Sequence, residues 1–563
     1  PVNTVLFGPR LGMARVPSEF EWQVSGSDHG FDESGYGYDS PGRRSQSSQH
    51  SMASGLEAVN PMASELEIQI QEIIPQVAKN IAQMDVTNPE ILRVTRAFSA
   101  FQNFAEALRV GCNGDFYHKS FKSHKISTFW SHSWHGGYWK KILTLLTLYN
   151  GPAALFCGFL TAILMAILFC FGILPGIDRG WGPWVPFSPW CLPSGFVVTI
   201  VVMISWRSPT KVFLDRICIS QNDNDLKAQA IFSLAGLLKN SEVMLILWDP
   251  TWTERLWCLF ELAAFLKSKK TTSGKQALIV RPLFLGPISI AIFTLSFVVA
   301  LPLTTVSFDY FTIAMVQVMT PGLIGGLVVG YPAVLTVRSY FRELDIMKEQ
   351  LLGISFDATR SACCDQNHVG PTGAPLLCDR RVVKECVKIW FGSQEAFEDA
   401  VRSEVLDMLM VVLNEKVFTY TWILSVTMPL FWTFLDLSVS FAPLFPSATF
   451  WERPSVSLLI DGLVVWLLVV PSVKDLLIMF CRLTRAKGRT LCIEIFKNLM
   501  VVLTCGLFLS ILFALYVAAR SIYHTENFSR ALAWSGAAVL FSIVSRLGSV
   551  GVKVILKHCG SGQ

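Results

Sequence analysis

The chain has 563 residues and a mass of 62.7 kDa, with 52% hydrophobic and only 16% charged residues, a net charge of +5 and a mean hydropathy of +0.45. Soluble proteins carry about 25% charged residues, so this chain lacks the charge to cover a globular surface in water, and its 40 Phe and 17 Trp push the same way. A wholly soluble enzyme, a disordered chain and a collagen-like fibre are excluded, which leaves an integral membrane protein.

Lys and Arg form no basic stripe backed by a nucleic-acid motif, so no nucleic-acid partner is expected; the partner implied is the lipid bilayer. The 14 Cys are scattered, and Cys157, Cys170 and Cys505 fall inside apolar runs where a thiol behaves as a small hydrophobe. With no disulfide framework, the thiols are expected in reducing cytosol or in lipid. The sequence opens at Pro1 without a basic-then-apolar leader, so a targeting peptide is expected to be absent or already removed.

Residues 1–60, rich in Gly, Ser and Pro with no apolar period, read as a disordered tail. Two amphipathic cytosolic helices are expected over 61–126. In the first, Leu66, Ile70, Ile73, Ile74, Val77 and Ile81 recur at helical spacing, with a kink at Pro75. The second starts at the N-cap and first-turn proline of Asn88-Pro89 and presents Ile91, Val94, Phe98, Phe101 and Leu108. Both are read as packing on the cytosolic domain.

Apolar runs of about 18 residues or more cross a bilayer as helices. Eight spans are expected: 152–174, 190–206, 285–305, 310–335, 417–438, 455–473, 498–519 and 531–551. Basic residues concentrate in every other connection. The loop 482–497 carries Arg482, Arg485, Lys487, Arg489 and Lys497, and the long segments 207–281 and 336–416 and the tail with Lys553 and Lys557 are also basic. By the positive-inside rule both termini and both long segments are cytosolic. The sequon Asn527-Phe528-Ser529 then falls in an exterior loop.

Between and after the first two spans the pattern is that of an open parallel α/β sheet. Ser127–Trp134 is a β-type run followed by a helix-like HGGYWKKILTLL. Val212–Asp215 with Ile217–Ile219 forms a second short strand, closed by the loop signal Ser220–Asp223. Residues 226–239 read as an amphipathic helix, Val243–Leu247 as a central strand, Trp257–Lys267 as a helix and 277–285 as a fourth strand. The expected domains are therefore an α/β unit over 127–285 interrupted by a membrane hairpin at 152–206, a second hairpin at 285–335, a cytosolic helical segment at 336–416, a four-helix membrane region at 417–556 and a tail at 557–563.

Four fragments in order, Phe129-Trp130-Ser131-His132-Ser133, Phe213-Leu214-Asp215 with Cys218-Ile219, Ser241–Leu247 and Arg255–Leu262, resemble a TIR domain. The run Leu214–Gln221 is also similar to the related heterokaryon-incompatibility domain. The resemblance covers about a fifth of the chain and implies a flavodoxin-like fold, with ligand loops at the carboxyl ends of the strands. It further implies cleavage of the nicotinamide–ribose bond of NAD, with NAD as substrate and no required cofactor, and homo-oligomeric assembly through the domain. Glu261, in the family's W-C-x-x-E position, would be the catalytic carboxylate, stabilising an oxocarbenium-like centre. Ser131, Ser133, Asp215 and Trp257 would line the nucleotide pocket. The competing reading of Glu261 is an acid stabilising the dipole of its own helix, and that of His132 is a structural histidine.

Cys363, Cys364, His368, Cys378 and Cys386 lie in a Gly/Pro-containing stretch, and three thiolates with an imidazole can hold zinc tetrahedrally. The spacing is not C-x-x-C, adjacent cysteines bind one ion in the usual knuckle geometry only with strain, and reduced free thiols are the competing reading. Gly322, Gly326 and Gly330 repeat at a helix-packing interval. Asp436 and Asp461 are carboxylates in the apolar region, where ionisable groups mark function. The whole reads as a polytopic helical membrane protein with a cytosolic TIR-like α/β domain, acting in signalling as an NAD-cleaving enzyme. The alternatives are a non-catalytic assembly scaffold, or a transporter or channel with a regulatory α/β domain.

Overall fold

The computed structural model describes residues 61–109, 114–134, 137–178, 186–269, 278–303, 328, 330–368, 377–415, 417–442, 454–522 and 535–548. The tail 1–60, the sequon at Asn527 and Gly322 and Gly326 lie outside the described residues.

A six-stranded mixed sheet is built from β1 (Arg93–Arg96), β2 (Phe121–Lys122), β3 (Ile126–His132), β6 (Lys211–Phe213), β7 (Ser241–Trp248) and β8 (Leu278–Pro282), in the order β2-β1-β6-β3-β7-β8. A separate two-stranded ribbon pairs β4 (Ile177–Asp178) with β5 (Pro186–Phe187). Strands β6, β3, β7 and β8 are parallel, with Phe129 opposite Phe213 and Met244, and Leu245 opposite Ile279. In chain order these four stand second, first, third, fourth, which is how the flavodoxin-like doubly wound order begins. The Val-Met-Leu-Ile-Leu run of β7 is almost wholly buried, as a central parallel strand requires.

The second amphipathic helix expected from Asn88 is not formed. Asn88 does cap, accepting from the Glu90 N–H, but the turn lasts only from Pro89 to Ile91. The chain then extends into β1, antiparallel to both β6 and β2. Val94 and Thr95 are β-branched and suit a strand, and the short β6 would otherwise present an open edge. Ile217–Ile219 is likewise not strand: Asp215–Cys218 is one helical turn.

Helix α1 (Pro61–Ala82) runs unbroken through Pro75 and buries Ile74, Val77, Ala78 and Ile81. Helix α2 (Tyr138–Tyr149) starts beyond the carboxyl end of β3 and leads straight into the apolar α3 (Gly151–Cys170), and α4 (Cys191–Ser205) returns the chain to β6. The Asn150 amide donates to the carbonyls of Met203 and Trp206, stitching the start of α3 to the end of α4. The hairpin therefore sits within an ordinary parallel crossover and leaves the sheet intact. The site end of the sheet and the apolar helices are separated by the 12 residues of α2, about 18 Å of helix.

The segment expected as one helix over 226–239 is two, α5 (Asn224–Phe232) and α6 (Leu234–Lys239), parted at Ser233. Beyond β7 comes α7 (Leu256–Lys269), and after β8 come α8 (Leu285–Leu303), α9 (Tyr331–Leu352) and α10 (Asp379–Phe391). Residues of α9 and α10 join the same core as the sheet, so these helices pack on the α/β unit.

Among the described residues, three helices are long and apolar enough to cross a membrane: α3, α13 (Ser455–Leu483) and α14 (Leu491–Ile522), the last passing over Leu491–Ile511. The pair α11 (Tyr420–Val426) and α12 (Met428–Ser440), bent by 57°, makes a fourth if it is one span. Cys191–Ser205, Leu285–Leu301 and Ser535–Gly548 are apolar but shorter. The expected span 310–335 lies largely outside the described residues, and from Tyr331 the chain is the amphipathic α9. Phe156, Leu160, Leu164 and Ile167 make an exposed stripe along α3 that water does not tolerate at this size, consistent with a lipid-facing surface. The basic loop before α14 and the first turn of α14 pack against α9: Arg485 pairs with Asp345 at 2.6 Å, Arg342 with Glu494 at 2.8 Å, and the fully buried Arg338 also contacts Glu494.

Candidate functional site

At the carboxyl ends of β3, β6 and β7 a cavity of about 50 Å³ is lined by His132, Ser133, Asp215, Trp257 and Glu261, among others. The order of the parallel strands brings these distant residues together: β3 supplies the first, the chain after β6 the third, and α7 the last two. Ser131, expected in the pocket, is fully buried one layer behind it, where its hydroxyl donates to Glu261 Oε2 at 2.6 Å and accepts from the Trp252 indole at 3.1 Å.

Glu261 belongs to the second turn of α7, beyond the reach of the helix-end dipole, and points inward. It keeps partial exposure toward the cavity while protein surrounds its carboxyl, and this burial pushes it up to about 8 despite the Ser131 hydrogen bond. The group is therefore largely a neutral acid at pH 7. Burial drives His132 the other way, down to about 4, so its ring is neutral; it packs edge-on to Trp134 at 4.6 Å, and its Nε2 has no hydrogen-bond partner among the described residues.

Asp215 accepts from the Trp134 indole at 3.0 Å and from the Arg216 N–H at 2.7 Å. Ser133 Oγ lies 2.8 Å from Thr251 Oγ1, and the Ser133 carbonyl accepts from the buried Lys141 ammonium. Burial lowers Lys141 to about 8, with Asp249 and Asp215 opposing the shift. The sequence reading missed Lys141, although the helical period was a usable signal: it lies one turn before the buried Leu145. Trp252 carried no such signal, since only the sheet register brings it to Ser131.

The Trp257 indole, on the cavity wall, donates to Asp379 Oδ2 at 3.2 Å. Asp379 opens α10 beside the Cys/His cluster, and burial raises its carboxyl to about 6. In that cluster Cys363, Cys364, His368 and Cys378 bring their ligand atoms within 4.8 Å of one another. Cys386 does not join them: two helical turns along α10, its thiol donates to the Ala78 carbonyl of α1 at 3.5 Å. The five expected ligands thus reduce to four.

Asp436 is a helix cap. One carboxylate oxygen accepts from Ser188 Oγ and the Cys191 N–H at 2.8 and 2.9 Å, and the other from the Leu192 N–H at 2.9 Å. It thereby satisfies the opening N–H groups of α4, buried in the apolar layer. Asp461 is also buried.

Compared with protein-family models, with curated proteins and with solved structures, the chain matches none.

Proposed function

We propose that the chain is a polytopic membrane protein of eight spans, with both termini in the cytosol, whose TIR-like domain cleaves the nicotinamide–ribose bond of NAD as a signalling enzyme. The observation that carries the reading is the convergence of Ser133, Asp215, Trp257 and Glu261 on one cavity at the carboxyl ends of parallel strands. In the reaction the bond from ribose to the pyridinium nitrogen breaks, its electron pair leaves with nicotinamide, and water captures the cationic sugar and releases a proton to solvent. The Glu261 carboxylate stabilises that cation, and Trp257 offers a face to the ring. A pyridinium entering beside Glu261 favours the ionised carboxylate, the opposite of what burial does in the empty cavity.

The test is nicotinamide release by the full-length protein in detergent. The parent turns over, Glu261→Gln loses at least about 100-fold, and kcat/KM rises with pH to a plateau above about 8, the pH at which the free carboxyl ionises. Absence of release from folded parent protein at high concentration sinks the reading.

One observation favours non-catalytic, homo-oligomeric assembly instead: a cavity of about 50 Å³ holding a mostly protonated Glu261 is smaller than a nucleotide. Self-association of the parent, undiminished in Glu261→Gln and without NAD turnover, supports that second reading. Transport is the weakest, because Asp436 is fully engaged by a helix end.

A further inference from the structure

The geometry points to a closed tetrahedral zinc site made by Cys363, Cys364, Cys378 and His368, which pins the opening of α7. Zinc bonds of about 2.3 Å to sulfur and about 2.0–2.1 Å to nitrogen, at tetrahedral angles, place ligand atoms about 3.8 Å apart for two sulfurs and about 3.5 Å apart for sulfur and nitrogen. Here Cys363 Sγ and Cys364 Sγ are 3.8 Å apart, Cys364 Sγ and Cys378 Sγ 3.9 Å, and Cys364 Sγ and His368 Nε2 3.5 Å. Three edges of the tetrahedron therefore already have the length the ion requires.

The backbone is shaped for this. Adjacent cysteines reach one centre because Cys363 and Cys364 lie in a single helical turn, Ala362–Asp365. The chain then folds back through left-handed Asn367 and His368 (φ 52° and 59°), and the His368 N–H donates to the Cys363 carbonyl at 2.8 Å. Asn and His are among the non-glycine residues that enter that region most readily, so the sequence suits the turn that brings His368 back to the cysteines. Outer partners are in place as well: the Asp379 N–H donates to Cys363 Sγ at 3.3 Å, and Ser361 Oγ lies 3.1 Å from the same sulfur. Hydrogen bonds of this kind orient ligands around structural metals.

The cluster is tied to α7 at two places. Immediately before it, Arg360 exchanges backbone hydrogen bonds with Glu254 and Leu256 at 2.7 and 3.1 Å, and immediately after it Asp379 accepts from Trp257. An ion joining residues 363–378 closes a clamp on the first turn of α7, which presents Trp257 one turn ahead of Glu261. Zinc binding does not depend on NAD turnover, so the two readings fail separately.

The experiment is metal analysis of full-length protein purified in detergent with reductant and zinc. One zinc per chain is expected, with loss in Cys364→Ser/Cys378→Ser and retention in Cys386→Ser. Cobalt exchanged into the parent is to give the intense ligand-field and sulfur charge-transfer bands of a tetrahedral S3N centre, a readout that does not require a variant to fold. Chelation is to raise amide exchange over 254–262. A metal-free parent without the cobalt bands, or a disulfide among these cysteines in the zinc-treated protein, overturns the site; unchanged exchange on chelation overturns the clamp.

Discussion

The carboxyl of Glu261 stands about as far from its ordinary value as a carboxyl in a dry cavity does, and the sign of its effect on stability follows. Its value rises from 4.5 to about 8, so across that interval the native state keeps a proton the unfolded chain has lost. Stability contributed at this site falls as pH rises, by up to about 1.4 kcal/mol per unit. Glu261→Gln removes the ionising group but keeps the shape, so its melting temperature relative to the parent in detergent is to climb between pH 5 and 8 and level off above. A difference independent of pH would mean that the carboxyl titrates normally. Ser131→Ala leaves the Trp252 indole N–H and one Glu261 oxygen without their partner, which costs about 1–3 kcal/mol and lowers the melting temperature at every pH. Glu261 and Trp257 were legible in the sequence because a short helix-opening motif carries them. Ser131 was legible as a residue but not in its place: strand alternation does not say that Glu261 reaches it from across the sheet.

At the level of elements, β1 shows how local signals lose to pairing. The cap at Asn88 and the apolar spacing through Leu108 both point to helix, yet a two-stranded addition covers the free edge of β6. That gain is non-local and leaves no mark in a helical period. The apolar hairpin shows the reverse, since composition alone placed α3 and α4 to within a few residues. What composition does not show is their contact: a Cβ on Gly158 would lie 2.0 Å from Thr199 Oγ1 and 2.8 Å from the Gly195 carbonyl. Gly158→Val is therefore to separate α3 from α4 and lower the melting temperature by several degrees, whereas the same change at Gly506, where nothing lies within 4 Å, is to be near neutral. Asp436→Ala leaves the buried N–H groups of Cys191 and Leu192 unpaired and is to destabilise by about 1–3 kcal/mol. Solute flux abolished by Asp436→Asn without loss of stability would contradict the capping role.

Over the whole molecule, the packing of the basic loop 482–497 on α9, and of α9 on the sheet, puts these parts on one side of the apolar layer. In sealed vesicles a membrane-impermeant maleimide is to reach the exposed Cys492 and a Lys239→Cys probe from the same side. Labelling from opposite sides would invalidate the arrangement. The long apolar helices and the alternation of strand and helix were readable from the chain, because solvent preference and short-range periodicity are properties of consecutive residues. The edge strand, the backing of Glu261 by the buried Ser131, the exclusion of Cys386 from the thiol cluster and the capping role of Asp436 were decided by tertiary structure. Each depends on a partner far away in sequence: β6 for the edge strand, β3 for Glu261, α1 for Cys386 and α4 for Asp436. Side-chain burial and hydrogen-bond satisfaction are settled only when those surfaces meet.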